Sequence, residues 1–174
     1  MNRRTKTAVM ALTVYLLSTL LGTSPASAAG TSEEQRLIEV SSSYQGVETR
    51  TMVFATGVVN AKGYQTSAPS SGGVGHLVLH FPSGNLIATF NENENNAQQH
   101  FNPTACFAAP TGNGKLTITG GSGIYLGATG SLIYTHTGFI IGARGPDGAC
   151  LAEKAPSKAD AGLLNAVGTI TLKK

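Results

Sequence analysis

Residues 118–130 read ITGGSGIYLGATG: five glycines (Gly120, Gly121, Gly123, Gly127 and Gly130) around one aromatic, Tyr125. What flanks them decides the fold. KLTIT (115–119) leads in and SLIYTHT (131–137) leads out, both rich in the β-branched residues of strands. A phosphate-binding glycine loop needs a helix after it, whose free N–H groups and dipole face the anion. Nothing after Gly130 has helical periodicity. The glycines therefore read as the corner of a β-hairpin, taking backbone angles that other residues reach only under strain, with Tyr125 as its packing anchor.

Working outward, RLIEVS (36–41), TMVFATGVV (51–59), GHLVLHF (75–81) and NLIATFN (85–91) read as strands, the last two joined through Pro82-Ser83-Gly84. ACFAAP (105–110), FIIGAR (139–144) and LNAVGTITL (164–172) complete the set, with loops expected over 60–75, 91–104 and 145–161. Eight or nine short strands with turn-like links predict an all-β domain of antiparallel pairs. Spacing alone leaves a sandwich and a closed barrel both open.

The first 28 residues are a separate matter. Arg3, Arg4 and Lys6 precede an apolar run from Ala8 to Leu21, and Ala26-Ser27-Ala28 follows. That is the pattern of a secretory signal peptide cleaved near Ala28, leaving a domain of 29–174 in the extracellular space. The run is short for a membrane span, which needs about 20 apolar residues. Arg3-Arg4 lacks the apolar residues that follow a twin-arginine pair, so ordinary secretion is the reading. Cleavage removes three of the twelve basic residues and none of the nine acidic ones, so the remainder carries nine of each. With no basic stripe, nucleic-acid binding is excluded as an expectation, and no membrane role remains after cleavage. In an exported chain the two cysteines, Cys106 and Cys150, predict one disulfide; a reactive thiol or a metal ligand is the alternative.

Candidate chemistry is sparse. His76 and His80 would share a metal on a helix, but on a strand four residues span about 13 Å. Alternation instead puts Leu77, Leu79 and Phe81 on an inner face and both histidines outside. Tyr134 and His136 share a face with Leu132; pointing into a barrel, a phenol and an imidazole would serve as hydrogen-bond or proton-transfer partners. Glu39, between Ile38 and Val40, is the acid most embedded in apolar sequence, and burial would suit it to acid–base work. For all three the plainer reading is the polar side of a half-exposed strand. The stretch NENENNAQQHFNPT, with Glu92, Glu94 and His100, reads as a solvated loop rather than a calcium site. No nucleophile elbow is present, since Gly120-Gly121-Ser122-Gly123-Ile124 fails at its last position. No cofactor motif and no metal-ligand spacing is found.

At ITGGSGIYLGATGSLIYT the chain resembles the allene oxide cyclase-like barrels, related in fold to the dirigent proteins, and is similar to the small bacterial barrels that form spirotetronate rings. The pattern is a strand ending Thr119-Gly120-Gly121-Ser122-Gly123, then Ile124-Tyr125, Gly127 and Gly130, then another strand. The resemblance implies an eight-stranded antiparallel barrel with an apolar lumen, often a homo-oligomer. Its enzymes work without cofactor, folding a hydrophobic small molecule into the shape that cyclises, by positioning and desolvation. Tyr134, His136 and Glu39 are then the candidate catalytic residues of a cyclase or isomerase. The alternative is a secreted, non-catalytic, dirigent-like barrel that binds a small molecule or a partner.

Overall fold

A computed structural model of the chain describes residues 32–45, 47–67, 72–93, 96–151 and 157–173. The expected signal segment and Glu94 lie outside the described residues. Ten strands are found: β1 (Ser32–Tyr44), β2 (Val47–Glu48), β3 (Met52–Gly57), β4 (Ala61–Ser67), β5 (Val74–Phe81), β6 (Gly84–Glu92), β7 (Gln98–Asn102), β8 (Phe107–Gly121), β9 (Thr129–Ile141) and β10 (Ala159–Thr171). Eight of them run in the order β10-β9-β8-β6-β5-β4-β3-β1, every pair antiparallel, and β10 pairs with β1 to close the sheet. This is an eight-stranded antiparallel barrel, with β2 and β7 added outside the circuit on β1 and β8. Closure removes the free edges that an open sheet would expose.

Strand boundaries differ from the sequence reading in an informative way. The expected breaks at Gly112–Gly114 and Gly138 do not occur; β8 and β9 run straight through them as strands of 15 and 13 residues. The expected loop at 60–75 contains β4, and the expected solvated loop at 91–104 contains β7. In each case glycine or polar residues sit inside a strand because the ladder is satisfied by its neighbours, whatever the side chains.

Alternation along each strand places one residue in two inside the barrel. On β1 the inner face carries Gln35, Leu37 and Glu39, all buried. One end of the barrel is packed solid by Leu37, Val53, Leu79, Leu86, Leu132 and Ile170, each fully buried. The glycine-rich loop closes this end. It is less a free hairpin than a plug: its single 3-10 turn, Gly123–Tyr125, docks on the β5–β6 turn through Ser122 N–H to the Asn85 carbonyl (2.8 Å) and Ile124 N–H to the Ser83 carbonyl (3.2 Å). Tyr125 points inward, 4 % exposed, edge-on to Phe81 with ring centroids 6.0 Å apart. Positive φ is needed only at Gly123 (59°) and Gly127 (70°). Gly120 faces open space, whereas a Cβ on Gly130 would meet the Thr169 carbonyl.

Gln35 fixes the same end. Fully buried, its amide donates to the carbonyls of Thr56 (2.9 Å) and Val59 (3.1 Å) and accepts from the Val59 N–H (2.9 Å), holding the β3–β4 turn. Gln35→Met keeps the volume and removes every one of these bonds. It is expected to lower unfolding free energy by about 2 kcal/mol, because the turn's backbone groups stay buried without partners. Urea denaturation measures this; an unchanged midpoint would show that water reaches the turn.

Candidate functional site

The opposite end of the barrel is hollow. Where the packed half has leucines, this half places Gly112, Gly114, Gly138 and Gly162 along β8, β9 and β10, and a cavity of about 420 Å³ opens there. The glycines leave room for polar groups. Register sets Gly114 opposite Tyr134 and Gly112 opposite His136. A Cβ on Gly114 would lie 2.5 Å from the Tyr134 hydroxyl, and one on Gly112 would lie 2.4 Å from His136 Nε2 and 2.7 Å from Glu92 Oε1. The Gly112-Asn113-Gly114 step, read in sequence as a break, is the space into which two aromatic side chains fold.

The cavity wall holds Glu39, Tyr134 and His136 together, joined by Glu92 and Gln65. Glu39 projects from the middle of β1 and is 6 % exposed. Burial pushes its carboxyl up from 4.5 to about 7, because the charged form loses its water. Gln65, facing it from β4, satisfies its own amide only with the nitrogen turned to the carboxylate; it then donates to Oε2 at 2.6 Å and Oε1 at 2.9 Å. One neutral donor offsets part of the burial, and the carboxyl is left poised to gain or lose a proton near neutrality.

Tyr134 is 4 % exposed, and its phenol is raised to about 12 by burial first and then by the charges of Glu92 and Glu39. It therefore keeps its proton and acts as a neutral donor within electrostatic reach of both carboxylates. His136 Nε2 lies 2.7 Å from Glu92 Oε1, with both side chains about 30 % exposed toward the opening. The Tyr134 and His136 rings are 6.3 Å apart. At the rim, Asp160 accepts from the hydroxyls of Ser43 and Ser157.

Glu92 belongs to this wall and not to a solvated loop. The signal was present: Leu86, Ala88, Phe90 and Glu92 continue one alternation, so the face that buries the first two and half-buries Phe90 also carries the last inward. Gln65 and the two glycines had no such signal. His76 and His80 stand outside the barrel. His80 stacks on Tyr64 (4.5 Å between centroids) and bonds Thr66 (2.9 Å) and Asn85 (3.1 Å), while Arg50 covers the other side of Tyr64 at 4.0 Å. Cys106 and Cys150 are joined in a disulfide, their Cα atoms 5.3 Å apart, at the open end of the barrel. Among the described residues no helix is long and apolar enough to cross a membrane.

The fold and site thus define a class: a small antiparallel barrel, solid at one end, with a half-apolar acid–base cavity at the other. Comparison of the chain with protein-family models, curated proteins and solved structures finds no match.

Proposed function

We propose that this is a secreted, cofactor-independent isomerase or cyclase of the allene oxide cyclase-like kind, acting on a hydrophobic small molecule held in the barrel lumen. One observation carries the reading: a carboxyl with its proton affinity raised to near neutrality, Glu39, is buried in the same cavity as a neutral phenol, Tyr134. In such a site Glu39 takes a proton from a carbon next to a carbonyl, and Tyr134 donates a hydrogen bond to the oxygen on which charge develops. Return of that proton at another carbon completes an isomerisation. Apolar walls from Leu77, Phe90, Leu116 and Leu164 hold the substrate and keep water out. The disulfide suits an oxidising compartment, and the leader pattern supports export.

The test needs no natural substrate. Incubated in heavy water, a bound ketone should exchange its α-hydrogens for deuterium faster than in buffer, followed by NMR. Glu39→Gln should abolish the enhancement, a loss of about 100-fold or more, and Tyr134→Phe should reduce it by about tenfold or more. A ketone that binds yet exchanges no faster than in buffer would leave the non-catalytic, dirigent-like barrel as the reading.

A further inference from the structure

The cavity wall has a charge pattern that a purely apolar lumen would lack. Its carboxylates are Glu39, Glu92 and Asp160, and no lysine or arginine is among the described residues that line it. His136, the one basic side chain there, is already bonded to Glu92 at 2.7 Å. Asp160 is served by two serine hydroxyls and Glu39 by the Gln65 amide. Each carboxylate on the wall is thus provided with at least one donor. One donor is left over: Tyr134, 4 % exposed, lines the cavity with a hydroxyl that has no hydrogen-bond partner among the described residues. No fully buried side-chain polar atom among the described residues lacks a partner, so this hydroxyl opens onto the cavity and has a donor to offer there.

Resting on the reading of this cavity as a ligand site, we infer that it takes an uncharged apolar molecule bearing a carbonyl oxygen, which accepts from the Tyr134 hydroxyl, and that it rejects carboxylates of the same shape. A ketone oxygen supplies the acceptor Tyr134 lacks and brings no charge to desolvate. A carboxylate would satisfy Tyr134 equally well, but it must shed its water beside three acidic side chains with no free cation opposite. An ammonium gains the attraction of the carboxylates, but it must shed its water to enter and brings no acceptor to the phenol. Gly114, with no Cβ against the hydroxyl, lets Tyr134 lie against β8 as part of the cavity wall.

Four probes on one skeleton decide this: benzylacetone, its isosteric carboxylate hydrocinnamate, butylbenzene, and phenylpropylammonium. Each is titrated against the full mature protein carrying the neutral fluorophore N-phenylnaphthylamine. Benzylacetone should bind about tenfold more tightly than butylbenzene, and hydrocinnamate at least tenfold more weakly than benzylacetone. Tyr134→Phe, which keeps the ring and so the packing, should bring benzylacetone down to the level of butylbenzene while leaving butylbenzene unchanged. Hydrocinnamate or the ammonium binding as tightly as the ketone overturns the inference, as does a Tyr134→Phe protein with full ketone affinity. Failure of every probe and of the fluorophore to bind removes the ligand site itself. Intact selectivity without α-hydrogen exchange removes only the catalytic reading.

Discussion

Replacing Glu39 by glutamine is expected to stabilise the protein at about pH 8. In the folded chain the Glu39 carboxyl is raised from 4.5 to about 7 by burial. Between those two values the folded state holds a proton that the unfolded state has released. Stability therefore falls as pH rises through this window; the penalty is absent below about pH 4.5 and complete above about pH 7. The size of the shift sets the penalty at about 3 kcal/mol, with the Gln65 amide recovering part of it. Glutamine carries no charge at any pH, so it escapes the part of the burial cost that comes with ionisation. The variant should melt roughly 5–10 °C higher than the native protein at about pH 8, and the difference should close by about pH 4. Thermal unfolding of both proteins across this range measures it. Equal midpoints at the higher pH would mean that water reaches the carboxylate. A group kept at such cost to the fold is what a functional site is expected to contain.

Loss of the disulfide is expected to be the larger effect. Cys106 and Cys150 are 44 residues apart in sequence, and in the chain-entropy picture closing a loop of that size stabilises the fold by about 4 kcal/mol. That is a large share of the roughly 5–15 kcal/mol typical of a domain. The bridge ties the turn before β8 to the segment around Arg144, whose β-bridge to Cys150 it reinforces. Cys106 itself sits at a positive φ of 54°, held by the Gly142 N–H on its carbonyl (2.8 Å). The double variant Cys106→Ser/Cys150→Ser, and the native protein under reducing conditions, should show the same lowered urea midpoint. If reduction leaves the midpoint where it was, the cross-link restrains nothing that folding does not already restrain.

Much of the barrel was legible because apolar alternation on strands such as GHLVLHF reports a buried face directly. Residues Leu77, Leu79 and Phe81 lie inside, and His76 and His80 outside, as the alternation required. The longer strands that were missed, β4 and β7, carry no such pattern. β4 shows the lumen only Ala61, Gly63 and Gln65, and all five residues of β7 are exposed, since it is added outside the barrel circuit. Their formation depends on unpaired backbone groups of β3, β5 and β8, which local sequence does not record. The site was legible in part: Glu39, Tyr134 and His136 were visible as polar residues within strands, but not the face they occupy.

The sequence by itself determined the all-β class and the role of the ITGGSGIYLGATG corner as a turn between strands, and it predicted the disulfide that the structure contains. A choice between sandwich and barrel was beyond it, because that rests on the pairing of β1 with β10, about 130 residues apart in the chain. The hollow was beyond it too. Gly112, Gly114, Gly138 and Gly162 look like strand breakers along the chain; only cross-strand register shows that they stand opposite Tyr134, His136 and one another. A cavity is made by the absence of side chains at positions brought together across strands, and that absence has a meaning only once the barrel is closed.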